Sequence, residues 1–287
     1  MCVSAAAAHF SDTVLYVGRV DHPVFGHIEV VGYQNTAINL SRGPNAMLLH
    51  LPAVTMSPRN FLDTTANREI LADMVRAVTP SSASYGPMAS YGAPPAQVQV
   101  FEHDIYTVVL ATDPRSIPAA LDMVPPHRRP RLRRSLLKFY ANAYPGYPVA
   151  LCCFDNADAR KAAPLLLWYP PRDPNWLVAP AIDCHTGRAP DPNGWVSVDH
   201  HLIVGVPMQP TRYRPESEQG VVHYTQPAGP LGAFLPHCVA GRTFTQGHLP
   251  NGDFAVATAD VQAGHLNRVY RRLVTGALQP IQAVHRV

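Results

Sequence analysis

The chain has 287 residues, 47% of them hydrophobic and 15% charged. That composition supports a sizeable core and excludes a solvated, disordered polymer. A formal net charge of +3 is too small to argue for nucleic acid, and no run approaches the ~20 apolar residues of a membrane helix.

In chain order, "CVSAAAAHF" and "TVLYVGRV" are apolar runs parted by Ser11 and Asp12, and they read as a β-hairpin. "HIEVVGYQN" and "NAMLLHLP" follow as strands. "TTANREILADMVRAV" repeats Ile70, Leu71, Met74, Val75 and Val78 at helical spacing, with Thr64 or Thr65 as cap. Residues 79–97, dominated by Ser, Gly, Pro and Ala, read as an internal loop or lid. "VQVFEHDIYTVVLAT" returns to strand, and Asp113–Pro114 opens a short helix. "RPRLRRSLLKFYANAY" is an amphipathic helix with Leu132, Leu136, Phe139, Tyr140 and Ala143 on one face.

Four short apolar runs between 148 and 206 read as strands, and Cys152 and Cys153 point to opposite faces of theirs. Weaker strands are expected near Val221 and Phe234. "GRTFTQGHLPNGDF" reads as a hairpin and "DVQAGHLNRVYRRL" as a closing helix. Strands outnumber helices. The expected fold is one α+β domain over residues 1–287, strand-rich and largely antiparallel, with about four helices packed on it. Five cysteines without a Cys-x-x-Cys point to a reducing, cytoplasmic setting rather than a disulfide framework.

Two constellations carry possible chemistry. Cys2 follows the initiator methionine. If Met1 is removed, one residue holds both a thiol and an α-amine of similar pKa, which is the arrangement of an N-terminal nucleophile. The second is "PAIDCHTGRAPDPNGWVSVDHHLIVG". Asp183 and His185 are two apart, as are Asp199 and His201, so on strands each couple shares a face. If the two strands form a hairpin, both couples turn into one pocket. They would then suit a divalent metal such as zinc, manganese or iron, or act as acid/base pairs. The plainer alternative is local hydrogen bonding at the loop ends. The basic run "HRRPRLRRSLLKFY" reads as a solvated helix face. No Gly-rich phosphate loop is present, so no cofactor is expected.

The opening Met-Cys, with a returning strand that ends Gly18–Arg19 followed by Asp21, resembles the N-terminal-nucleophile cysteine hydrolases of the choloylglycine hydrolase and penicillin V acylase type. The resemblance implies Cys2 as nucleophile, with Arg19 and Asp21 ordering its amine and thiol. Asp21 follows Arg19 by two residues where the family has three, and the family's later Asn and Arg motifs have no counterpart. Asn45, after the Gly-Pro turn, is the candidate oxyanion donor, and His185 or His201 the acid for the leaving amine. The expected activity is an amide-bond hydrolase or acyltransferase acting on a small-molecule or peptide amide, with neither nucleic acid nor membrane as partner. The alternatives are a metal-dependent enzyme at Asp183, His185, Asp199 and His201, or a non-catalytic binding or assembly protein. More broadly, Met-Cys, "SDT" and "NAMLLHLP" are similar to an uncharacterised group of bacterial and viral proteins, which implies no activity.

Overall fold

The computed structural model describes residues 3–79, 98–155, 162–207, 220–227 and 229–281, with the side chains of Thr245 and Gln246 left aside. The strands of the first half are β1 (Val3–Ser4), β2 (Ala8–His22), β3 (Gly26–Asn39), β4 (Asn45–His50), β5 (Phe61–Leu62), β6 (Val98–His103), β7 (Tyr106–Ala111) and β8 (Val149–Phe154). Those of the second half are β9 (Leu165–Tyr169), β10 (Trp176–Ala179), β11 (Trp195–Val206), β12 (Val222–His223), β13 (Cys238–Pro250), β14 (Asp253–Ala257), β15 (Tyr270–Arg272) and β16 (Leu278–Pro280). The helices are α1 (Ile70–Val78), α2 (Ile117–Ala120), α3 (Arg134–Ala143) and α4 (Thr258–Ala263).

Three sheets result: seven strands in the order β12-β13-β11-β2-β3-β9-β5, five in the order β1-β4-β8-β7-β6, and four in the order β10-β14-β15-β16. Among the described residues, β11 beside β2 is the parallel pairing in an otherwise antiparallel set. The fold is α+β, with four helices among the described residues, as the composition of the runs indicates.

Alternation along the strands builds the layers. Leu15, Val17, Val31 and Tyr33 of the large sheet share one core with Met47, Leu49, Val108, Leu110 and Cys152 of the five-stranded sheet. The opposite face of the five-stranded sheet, including Leu48, Val109 and Cys153, packs under Ile117, Leu136, Leu137 and Tyr140 of α2 and α3. Cys152 and Cys153 therefore do take opposite faces, and both are buried. On the outer face of the large sheet, Tyr16, Val30 and Ile203 meet Ile70, Leu71 and Met74 of α1.

Four local expectations change. Ser11–Asp12 is no hairpin turn. Both runs lie on the single strand β2, and a register shift with Asp12 at φ 53° bends it there. The N-terminal hairpin is instead β2–β3. Phe234 sits in a short 3-10 turn rather than a strand. The 241–254 run leaves one sheet for another: β13 belongs to the seven-stranded sheet and β14 to the four-stranded one. The closing helix stops at Ala263 because Gly264 takes φ 79° and caps it, and Tyr270–Arg272 becomes strand β15. The expected loop or lid lies, beyond Thr79, outside the described residues.

Candidate functional site

Gly18 and Arg19, two residues of the proposed nucleophile motif, have positions set by packing. Tyr16 lays its ring under the strand, and an added Cβ at Gly18 would come 2.4 Å from its hydroxyl. An added Cβ at Gly205 of the neighbouring strand would come 2.5 Å from the same hydroxyl. Arg19 is buried, and its Nε and Nη2 donate to Glu29 Oε2 at 3.1 and 3.0 Å. Its guanidinium also donates to the carbonyls of Asp173, Pro174 and Trp176. The side chain thus ties the large sheet to the segment leading into β10. Burial pushes the Glu29 carboxyl up to about 7 although Arg19 opposes the shift. Asp21 is exposed and pairs with His27 at 2.9 Å. A cleft of about 470 Å³ opens here, lined by Arg19, Asp21, His27, Pro174, Thr258 and Gln262. Cys2 lies outside the described residues.

Asn45 is fully buried. Its Oδ1 accepts from Ala6 N–H at 2.9 Å, and its Nδ2 donates to the carbonyls of Ala6 and Ala7 and to Asn39 Oδ1. It anchors the chain between β1 and β2.

Asp183 and His185 do not lie on a regular strand, since the segment touches its neighbours through isolated bridges only. His185 Nε2 and Asp183 Oδ1 are 2.7 Å apart, and the imidazole sits edge-on to buried Phe10. Asn251 fixes the backbone: its Oδ1 accepts from Asp183 N–H, and its Nδ2 donates to the carbonyls of Asp183 and Asp191.

On β11 the histidine facing this region is His200, not His201. His200 is buried beside Phe254, and burial, with Arg271 and His185 adding to it, drives its pKa well below the usual range. Its neighbours alternate outward: the Asp199 side chain is half exposed, and His201 Nδ1 lies 2.9 Å from Thr243 Oγ1. The two Asp/His couples therefore sit on opposite sides of the sheet, which removes the shared pocket. Among the described residues, no three of His, Cys, Asp and Glu approach closely enough to hold a metal ion. The metal reading of Asp183, His185, Asp199 and His201 fails on this geometry.

What the Asp183/His185 couple borders instead is a buried strut. Asp253 accepts from Ala181 N–H at 2.7 Å and Ile182 N–H at 3.1 Å, and lies 2.8 Å from His50 Nε2. His50 stacks on Tyr144, ring centroids 3.7 Å apart. Arg271 is fully buried, with its guanidinium 4.5 Å from the Phe254 centroid and its Nε donating to the Pro250 carbonyl. Burial lowers its pKa to about 10.

The most outward-directed apolar feature is the β2–β3 turn, which the opening motif analysis passes over. Pro23, Val24 and Phe25 form a three-residue loop closed by Gly26 at φ 69°. Val24 is 77% exposed and Phe25 44%. The loop is held rigidly: the N–H groups of Val24 and Phe25 both donate to His22 Nδ1. Phe25 stacks on Trp168 with centroids 4.2 Å apart, and His22 packs between Phe25 and Phe234. Trp168 in turn donates its indole N–H to the Arg59 carbonyl. The sequence signal was available: a Val-Phe pair stands where turns ordinarily carry polar residues.

No protein-family model matches the sequence, and no curated protein does. Among solved structures the chain is similar to baculovirus P35. The crystal structure of that protein aligns over 86% of this chain and 88% of its own, at 13% identity and a TM-score of 0.40. A mutated P35 after caspase cleavage gives 87% and 92%, at 11% identity and 0.42. The caspase-8/P35 complex gives 86% and 87%, at 12% identity and 0.41. The structures found are thus those of P35 and not of N-terminal-nucleophile hydrolases. The resemblance to that family is withdrawn, and with it the hydrolase, acyltransferase and amidase reading and its small-molecule or peptide amide substrate.

Proposed function

We propose that this chain is a non-catalytic binding protein that presents the β2–β3 hairpin tip to a protein partner. The observation that carries this reading is the exposed Val24–Phe25 pair, held on an aromatic base of His22, Trp168 and Phe234. Aromatic side chains on a preorganised support bind with little ordering entropy and form the energetic centres of protein interfaces. Supporting it, Arg19 donates to Glu29 and to backbone carbonyls, and Asn45 bonds the backbone of Ala6 and Ala7 and the side chain of Asn39, as framework residues do. Cysteines 152, 153, 184 and 238 are free thiols, which supports a reducing location such as the cytoplasm.

A photo-crosslinking side chain placed at Val24, with a second variant carrying it at exposed Thr275 as control, tests the reading. An adduct with a protein at position 24, absent at 275 and lost on Phe25→Asp, is the expected result. The absence of any tip-dependent adduct overturns it. Because one P35 structure is a complex with caspase-8, an active caspase is the first purified partner to offer. That likeness chooses a probe and carries nothing further.

A further inference from the structure

We propose that the exposed cations before and along α3 form a second interaction surface, one that docks an acidic segment of a protein partner. Between Asp113 and Lys138 the sequence holds seven Lys and Arg but two acids, an excess of five where the whole chain has an excess of three. The charge is therefore concentrated here. The structure shows that the nearby carboxylates are already taken. Asp113 pairs with Arg115, Asp122 with Arg129, and Glu102 of β6 with Arg128. Arg131, Arg133, Arg134 and Lys138 remain, all exposed. No ion pair reaches them among the described residues.

Their placement is ordered. Arg133 has extended backbone, and Leu132 turns inward onto the core beneath α3 while Arg131 and Arg133 on either side of it are exposed. Arg134 and Lys138 are four apart on α3 and share a helix face. Arg133 is the N-cap, no side chain caps the helix, and no acid stands in its first turn. Cations at this end oppose the helix dipole, so folding alone gains nothing from them. A bound carboxylate would answer both the guanidinium groups and the dipole.

The surroundings select the partner. No exposed aromatic ring stands among these cations: Phe139 is half-buried against Tyr140 and Tyr144, so nucleobases have no stacking platform. Met123, 59% exposed, lies beside the Arg129–Asp122 pair. Arg and Met are enriched in protein interfaces.

This surface lies on the α3 side of the five-stranded sheet, away from the hairpin tip. It draws on the binding-protein reading only for the class of partner, so its test must not involve the tip. Poly-L-glutamate serves as the probe, offered to the intact chain at low ionic strength. Wild type should bind it, with affinity falling steeply as salt is added. Arg133→Glu/Arg134→Glu should weaken binding at least tenfold while raising Tm, because the reversed charges suit the helix terminus. Arg133→Gln/Arg134→Gln should weaken binding with Tm unchanged or raised. Phe25→Asp should bind as wild type does. Arg42→Glu/Arg188→Glu, which changes net charge equally at other exposed sites, should leave most of the affinity. Three results overturn the proposal: equal loss in that control, a fall in Tm on charge reversal, or tighter patch-dependent binding of an oligonucleotide or of phosphatidylserine vesicles than of poly-L-glutamate.

Discussion

At Glu29, burial and a guanidinium pull in opposite directions. The carboxyl ends near 7, against 4.5 for a free side chain. Between those values the folded chain holds a proton that the unfolded chain has released. Stability therefore falls as pH rises through that window, by at most about 3 kcal/mol for one group. Urea titrations at pH 4.5 and 7.5 should show the loss in wild type and a flatter profile in Glu29→Gln, whose amide oxygen still accepts from Arg19. Next door, Tyr16 is fully buried and its hydroxyl has no hydrogen-bond partner among the described residues. Tyr16→Phe should stabilise the fold by about 1 kcal/mol, since it removes an unmet polar group without changing shape; a lowered denaturation midpoint would contradict this. These two residues also explain what was legible of the candidate site. The sequence singles out Gly18 and Arg19 only through a resemblance to a hydrolase motif, and the partners that fix them, Tyr16, Gly205 and the carbonyls of 173–176, arrive through tertiary contact. A motif states that residues are constrained and leaves open whether chemistry or packing constrains them.

The β2–β3 hairpin joins local turn chemistry to the proposed function. His22 accepts two N–H groups through Nδ1, and burial lowers its pKa below 6.5. A protonated ring has no lone pair at that nitrogen. The folded state binds this proton less well than the unfolded state, so the His22 contribution is present above pH 6.5 and is lost as pH falls through the folded value. Tip-dependent adducts from a crosslinker at Val24 should therefore fade as pH falls through the lowered folded value of His22, and His22→Asn, which retains an acceptor, should weaken that dependence. An acid profile identical in wild type and His22→Asn would show that the tip does not rest on this ring. Elements with strong periodicity were legible in advance: α1, α3, β3, β4, β8, β9, β10 and β11 follow from apolar spacing. Those lost to other forces are equally specific. β2 continues through Ser11–Asp12 because Asp12 accepts a left-handed backbone and both flanking runs find the same neighbour, β3. The tail helix yields to Gly264 and to the burial of Arg271.

Across the whole molecule, the three sheets meet where no periodicity could announce it. His50 closes β4 of the five-stranded sheet. Asp253 opens β14 of the four-stranded one. Ala181 and Ile182 lie on the path from β10 to β11 and so toward the large sheet. One carboxylate joins the four-stranded sheet to the five-stranded one and to this connecting segment. Burial by itself would raise its pKa, but His50, the N–H of Ala181 and the charge of Arg271 outweigh burial and leave it depressed. A depressed folded pKa contributes stability that is fully present above the unfolded value. That stability is lost as pH falls through the folded one. Its window lies below about pH 4 and so does not overlap that of Glu29. Asp253→Asn keeps an acceptor for the two amides and removes the charge. It should be less stable than wild type at pH 7 and should lack the wild-type loss of stability below about pH 4. Asp253→Ala leaves His50 without its carboxylate and Arg271 with Asp183 alone to offset its charge, and should lose about 3–5 kcal/mol. Amide exchange decides whether the strut joins layers or serves β14 alone. In Asp253→Ala, protection should drop together in β4, β14 and residues 181–182, while the centres of β3 and β9, remote from the carboxylate within the large sheet, should exchange only with global unfolding. Loss confined to β14 would show that the sheets are held together by their apolar faces and not by this residue.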